Sequence, residues 1–295
     1  MQKIYDLLMV LEMAPKSKRR LVMKIGGKSL SSGELIKNAA EIIARESVAN
    51  EIIVVVSAPG NTTSSLVGML EGVGNPAGGQ GWDRVLSYGE MISASLLAVG
   101  LNNLGVRFIL IEPSSEMWPV ITDDRFGNAN PLEENVGEIC KERIEPLLKE
   151  GFVLIVPGFI GKTTEGRIST MGRGSSDLTA FLLAKHTLAD EVIKISDVDG
   201  IYIDGRIVPE ISAGKLREIC SNGGPGYERP NSIIQLKALD YFRAPLIARV
   251  VSYREKEMCK GGTVIRPDEA QAARIIYRKG RKTRAGGDVT LISEK

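Results

Sequence analysis

Six short runs rich in β-branched residues alternate along this chain with stretches of helical period. The runs are Leu21 to Ile25, Ile52 to Ser57, Val106 to Ile111, Phe152 to Val156, Val192 to Ile195 and Leu246 to Val251. Continuous apolar runs of that length read as strands buried on both faces, which is the habit of parallel sheets. Helical periodicity is expected over Ser32 to Ala49, Arg84 to Leu104, Pro131 to Leu148, Asp177 to Leu188 and Asn231 to Phe242. Strand and helix in alternation imply right-handed crossovers and an α/β fold, with an open, mostly parallel central sheet covered by helices on both faces. A 295-residue chain has room for one large unit or two modest ones, because single cores stop growing at roughly 250–300 residues. The unbroken alternation favours one unit over residues 21–265, with an extension over 1–20 and a tail over 266–295.

In sheets of this kind ligands bind beyond the carboxyl ends of the strands, which selects the loops worth reading. Lys24-Ile-Gly-Gly-Lys-Ser29 pairs two glycines with two lysines and suits a phosphate, although the spacing is not that of a Walker loop. Ser57-Ala-Pro-Gly-Asn-Thr-Thr63 is tight and hydroxyl-rich; it fits either a small polar ligand or an ordinary turn. A helix beginning near Tyr88-Gly89-Glu90 would place a carboxylate in its first turn, where the helix dipole alone accounts for an acid. Gly172-Arg-Gly-Ser-Ser-Asp177 leads into an apolar helical run. Its glycines let backbone N–H groups approach an anion, and Arg173 offers a planar fork for a carboxylate or phosphate. The same loop is also compatible with a plain turn and cap. Ser196-Asp-Val-Asp-Gly-Ile-Tyr202, followed by Asp204-Gly-Arg206, has the make-up of a nucleotide-contacting turn. Two phosphate-suited loops, an acid and an arginine on one sheet edge point to phosphoryl transfer, a reaction that needs positioning and positive charge more than covalent help.

Other classes are disfavoured. Net charge is +2 with 25% charged residues, which leaves no footprint for nucleic acid; the basic stretches Lys16 to Arg20 and Arg278 to Arg284 flank the periodic region as solvated segments do. Cys140, Cys220 and Cys259 lack the pairing of a zinc site or disulfide framework and fit a reducing, cytoplasmic setting. No continuous apolar run approaches the roughly 20 residues of a membrane span, and the basic cluster of the first 20 residues follows its apolar centre, unlike a secretory signal. The single histidine, His186, falls in a helical run and reads as structural, which argues against a histidine base.

Taken in order, KIGGKS, VVSAPGNTTSSLV, SYGEMISASLL, ITDDRFGNA, VPGFIGKTTEGRISTMGRGSSD, ISDVDGIYIDGRIVPEIS and GGTVI resemble the aspartate kinases of the amino acid kinase family, over about Leu21 to Ile265. The resemblance implies a three-layer α/β/α sandwich and transfer of the γ-phosphoryl group of MgATP to the β-carboxylate of L-aspartate. Residues 21–265 would be the catalytic domain. By position, Lys24 is similar to the lysine that neutralises the transferring phosphate, with Gly26 and Gly27 supplying N–H groups, and Asp177 to the acid that orients that lysine. Ser57 and Thr63 stand at substrate hydroxyls, and Ser176, in the Gly172–Asp177 loop, is expected to bind substrate as well. Glu90 matches the acid that takes the substrate ammonium and Arg173 the arginine that takes a substrate carboxylate. Lys28 lies beside the phosphate loop, and Ser196, Asp197, Tyr202 and Arg206 fall in the ATP-binding segment. Mg²⁺ is expected to ride on the nucleotide phosphates with no protein ligand of its own, and a homodimer is expected, with no nucleic-acid or membrane partner.

Departures bear on the acceptor. Members usually have Thr in place of Lys28 and Arg in place of Met91, carry a long helical insertion between the residues matching Ser57 and Glu90, and have Lys-Val-Leu-His-Pro-Arg where this chain has Gly226-Tyr-Glu-Arg-Pro-Asn231. Lys28 could alter the acceptor or compensate for the missing lysine. Past Ile265 the chain is too short for paired ACT domains, although Asp288 to Ser293 resembles the first strand of one, so feedback inhibition by lysine or threonine is not expected of this chain alone. A kinase acting on another amino acid such as homoserine, or a non-catalytic nucleotide- or amino-acid-binding homologue, are the competing readings; Lys24 together with Asp177 counts against the second.

Overall fold

The computed structural model describes residues 18–74, 78–222, 234–255 and 258–268. The segment Gly226 to Asn231, most of the N-terminal extension and the tail with Asp288 to Ser293 lie outside the described residues.

The chain opens with β1 (Arg19–Ile25), a 3-10 turn (Gly27–Leu30), α1 (Gly33–Ser47), β2 (Asn50–Val56), α2 (Thr62–Gly72), α3 (Gln80–Asn103) and β3 (Phe108–Leu110). There follow β4 (Ile121–Thr122), then α4 (Glu133–Ile139), which runs through a π turn (Cys140–Ile144) into α5 (Glu145–Lys149), and β5 (Val153–Pro157), β6 (Ile160–Thr163) and β7 (Ile168–Thr170). The last third comprises α6 (Ser176–His186), β8 (Glu191–Ser196), the β9–β10 hairpin (Tyr202–Ile203, Arg206–Ile207), β11 (Glu210–Ser212), α7 (Ala213–Asn222), a 3-10 helix (Leu236–Tyr241), β12 (Ile247–Ser252) and β13 (Thr263–Arg266).

All six expected strands are present and join one eight-stranded sheet in the order β11-β13-β12-β8-β1-β2-β5-β3. Every pairing is parallel except β12 with β13. Alternate residues of the central strands feed two separate cores. Leu21, Met23 and Ile25 of β1 pack with Ile36, Ala40 and Ile43 of α1 and Leu97 and Leu101 of α3. Val22, on the opposite face, packs with Val136, Phe181 and Leu182 from α4 and α6. The expected three-layer sandwich follows directly from that division. Helix α6 is buried on nearly every side from Ser176 to Ala184, which explains why its sequence is apolar all round rather than striped.

Several expectations are corrected. The stretch Asn231 to Phe242 contains a six-residue 3-10 helix rather than an α-helix. Helix α2 begins inside what read as a loop, and the segment after Gly158 forms β6 and β7, which join β4 in a small three-stranded sheet, β4-β6-β7. Helix α3 starts at Gln80, so Glu90 lies ten residues in and outside reach of the N-terminal dipole. That helix is long and apolar enough to cross a membrane by length and composition alone, with mean hydropathy 1.2, although Asp83, Arg84 and Glu90 interrupt its apolar residues. Its inward face carries Asp83, Ser87 and Glu90, all buried against the rest of the molecule, as in a core helix.

Candidate active site

The carboxyl ends of β1 and β8 bring two lysines side by side, since Lys24 and Lys194 are register partners in the parallel ladder. Both side chains point to the face covered by α6, alongside Val22 and Val192. The first turn of α6 places Asp177 between them: Lys24 Nζ is 3.0 Å from Oδ1 and Lys194 Nζ donates to Oδ2 at 2.9 Å. The Gln235 backbone N–H donates to Oδ2 as well, at 3.2 Å. Lys24, Lys194 and Asp177 are 8%, 7% and 5% exposed. Burial by itself would raise the Asp177 carboxyl; Lys194 and Lys24 outweigh it and hold the group down to about 2. Burial draws the Lys194 ammonium down, opposed by Asp177. Two ammonium groups against one carboxylate leave one formal positive charge at the sheet edge, suited to phosphate oxygens.

The loops around this centre are held backbone to backbone. The Gly26 amide is committed to the Ile195 carbonyl at 3.1 Å and ties β1 to β8, so it is engaged in the fold and not available as the anion donor expected of it. The Gly27 carbonyl accepts from the Gly60 N–H at 2.8 Å, and a Cβ on Gly27 would lie 2.3 Å from the Ala58 carbonyl oxygen, so no larger residue fits. Ser57 closes β2, its N–H bonded to Ile25 O at 3.2 Å, and Thr63 is half-buried in the first turn of α2. The next amide, Ala58 N–H, donates to Glu90 Oε1 at 3.2 Å. Glu90 is 4% exposed and its Oε2 has no hydrogen-bond partner. Burial pushes its carboxyl up to about 7, against the pull of Ala58 N–H and the Lys24 charge.

Ahead of α6, Gly172 and Gly174 take φ of 88° and 79°, a region that only glycine enters cheaply. Ser175 Oγ closes that turn on the Gly172 carbonyl at 2.6 Å, and Ser176 is buried at the helix start against Gly158. Arg173 is exposed between the two glycines, with its carbonyl accepting from Gln235 Nε2 at 3.1 Å. On the far side of the edge, Lys28 Nζ reaches Asp197 Oδ2 at 2.8 Å, and Ser196 Oγ donates to Asp197 Oδ1 at 3.2 Å. Tyr202 and Arg206 are exposed on the β9–β10 hairpin, whose turn, Asp204-Gly205, has both φ positive. His186 sits at the opposite end of α6 from Asp177, against Glu133. Among the described residues no group of three or more His, Cys, Asp or Glu side chains is placed to hold a metal ion.

The model of the amino acid kinase family matches residues 19–228. The chain belongs to the amino acid kinase family. Similar proteins include the aspartokinases of Corynebacterium glutamicum, 36% identical over 76% of this chain and 52% of that protein, and of Geobacillus stearothermophilus, 32% identical over 88% and 61%. The chain thus spans between half and two thirds of the length of these curated relatives. Among solved structures, Escherichia coli aspartokinase III in complex with aspartate and ADP overlays with a TM-score of 0.70 at 24% identity, over 83% of this chain and 64% of that one, which shows the same fold.

This amino acid kinase family member holds one central residue that its sequence did not single out. Lys194 is flanked by apolar residues within a buried strand, Glu-Val-Ile-Lys-Ile-Ser, just as Lys24 is in β1. A lone lysine inside a doubly buried strand is itself the signal, because such a charge must be paired. The sequence reading set it aside as part of a strand.

Proposed function

We propose that the chain transfers the γ-phosphoryl group of ATP to the β-carboxylate of L-aspartate, forming 4-phospho-L-aspartate. The observation that carries this reading is the buried Lys24–Asp177–Lys194 centre at the sheet edge, with the buried Glu90 carboxylate held on Ala58 N–H and within the field of the Lys24 charge; the aspartokinase names of the relatives support the acceptor. Lys24 and Lys194 neutralise charge as it shifts onto the transferring group, and Asp177 holds both ammonium groups in place. Gly27 keeps the first loop against the second. An acceptor carboxylate oxygen attacks the terminal phosphorus, one P–O bond forms as the bond to ADP breaks, and no proton changes hands because the acceptor is already ionised near neutral pH. Glu90 grips the acceptor's ammonium, with Arg173 closing on its α-carboxylate and Ser57, Thr63 and Ser176 lining the way. Asp197, Ser196, Tyr202 and Arg206 border the nucleotide, and Lys28 is free to exchange Asp197 for a phosphate. The donor set at this edge is cationic, which suits phosphate and not a directly held cation; Mg²⁺ would arrive on the nucleotide and supply charge neutralisation there.

The deciding experiment incubates the chain with MgATP and L-aspartate, L-glutamate, L-homoserine or no amino acid, and traps acyl phosphate with hydroxylamine. Hydroxamate with aspartate alone is expected. ADP release with homoserine and no hydroxamate would show a hydroxyl acceptor instead, with the Glu90 carboxylate, whose Oε2 is unpartnered, as the available base.

Because an ammonium is gripped only by the ionised acid, affinity for the amino acid is expected to rise as pH climbs through about 7, the range to which burial has pushed Glu90. In Glu90→Gln that rise should vanish, along with most of the affinity. Isothermal titration across roughly pH 6 to 8, about one unit either side of the Glu90 value, reads both effects; a flat wild-type profile would remove Glu90 from ammonium binding.

Pairing of two copies has support of its own. Tyr88, Ile92, Leu96 and Val99 form one stripe along α3 at 53%, 47%, 44% and 59% exposure, at i, i+4, i+8, i+11 spacing. Strand β3 is an open sheet edge. A homodimer would cover both, and a monomeric mass by light scattering would remove it.

A further inference from the structure

Asp83 is given no part in the chemistry above, yet it is 1% exposed, more deeply buried than Lys24, Asp177 or Glu90. It lies in the first turn of α3, on the face it shares at i, i+4 and i+7 with Ser87 and Glu90. Its Oδ2 accepts the Gly127 N–H at 2.8 Å and the Thr170 N–H at 2.7 Å, and its Oδ1 accepts the Thr170 hydroxyl at 2.8 Å. Among the described residues no ammonium or guanidinium pairs with it. Burial pushes its carboxyl up while the Gly127 and Thr170 donors draw it back. An anion buried on neutral donors alone is costly, and a packed apolar side chain would join three segments at less expense.

What this carboxylate joins is specific. Thr170 ends β7, and the Gly172–Gly174 turn with Arg173 follows at once. Gly127 precedes Asn128, whose Oδ1 accepts from Lys237 Nζ at 2.8 Å and would lie 3.0 Å from a Cβ on Gly172. On the helix side, Glu90 is two turns further along α3. One carboxylate therefore fastens the helix bearing Glu90 to both segments that brace the Arg173 loop.

We propose that Asp83 is a positioning residue that sets the spacing between Glu90 and Arg173, and so the length of amino acid that the site accepts. The inference rests on the reading of Glu90 and Arg173 as the grips for ammonium and carboxylate. Two charged ends of an amino acid held at a fixed separation discriminate chain length only if neither grip drifts, and a misplacement of about 1 Å is enough to cost up to about 100-fold.

The test compares wild type with Asp83→Asn, which keeps size and turns one acceptor into a donor facing donors, and with Thr170→Val, which removes one hydroxyl and leaves both N–H bonds. In the folded fraction of Asp83→Asn, KM for aspartate is expected to rise about 10- to 100-fold with KM for ATP little changed, and the preference for aspartate over glutamate to shrink; Thr170→Val should move the same way by less. Hydrogen exchange of the peptides holding Gly127 and Thr170 should quicken in Asp83→Asn, extending to Arg173. A lower Tm with unchanged KM and unchanged aspartate-to-glutamate preference would mean a structural role only and overturn the proposal. If wild type turns over no amino acid, the reading of the grips has failed; exchange then decides alone, and protection at Arg173 unaltered by Asp83→Asn overturns the coupling itself.

Discussion

Lys24→Met is expected to leave a folded chain that has lost phosphoryl transfer by on the order of 10²–10³-fold or more, the size of effect seen when one preorganised charge-stabilising donor is removed. Met retains the volume and apolar stem of the lysine, and Asp177 keeps Lys194 as a hydrogen-bonded partner at 2.9 Å, so no buried carboxylate is orphaned. Hydroxamate formation at saturating ATP and aspartate reads the loss, and aspartate affinity by titration should change little. Lys194→Met, which leaves the Lys24–Asp177 pair at 3.0 Å, should also lower turnover. Full turnover in Lys24→Met would exclude that ammonium from the transition state.

Asp177→Asn should act first on stability. Two ammonium groups that are at most 8% exposed would lose their one shared carboxylate, and breaking a buried pair in this way costs about 3–5 kcal/mol. The pH dependence distinguishes this from a packing defect. In wild type the Asp177 carboxyl sits at about 2, below the roughly 3.9 of a free aspartate. A depressed carboxyl contributes stability that is complete above the unfolded value, and the contribution drains away as pH falls from about 4 toward 2. Asp177→Asn should lack that acid limb. Burial already draws the Lys194 ammonium down, and Asp177→Asn removes the carboxylate that opposes it, so the folded variant binds fewer protons than the unfolded chain and should regain stability as pH rises into the alkaline range. Urea titrations at neutral and alkaline pH check this; a deficit that does not shrink with pH would mean that the lysines find other partners.

The fold was legible where burial leaves a strong mark. Strands β1, β2, β5, β8 and β12 are enclosed on both faces and read as apolar runs, interrupted only by Lys24, Lys194 and Arg249. The edges were not legible. Strands β11 and β13 have three and four residues with mixed burial, and β6 and β7 belong to a small side sheet whose Ile-Gly-Lys-Thr and Ile-Ser-Thr sequences carry too few residues for a period to show. Helix α2 has no fully buried residue, so no apolar stripe announced it. At the site, the glycines and the acid at a helix start drew attention to Lys24 and Asp177. Lys194 escaped although a lysine within a buried strand is a signal in itself, and Asp83 escaped because it is recognised only by its partners, which are 44 and 87 residues away along the chain. Glu90 was found for its type, but its surroundings were misjudged, because the start of α3 was placed too late.

The contact between Gly27 and Ala58 has a mechanical meaning. With the two backbones in contact and the Gly27 carbonyl bonded to the Gly60 N–H at 2.8 Å, the turn after β1 and the turn after β2 cannot slide past one another. In the proposed reaction they form a single rigid floor under both reactants. Any movement that closes over the reactants must then come from pieces that rest on this floor and are not welded to it, such as α2 with its thinly buried side chains or the exposed β9–β10 hairpin. A side chain grafted at Gly27 would jack the two turns apart and tilt everything that stands on them.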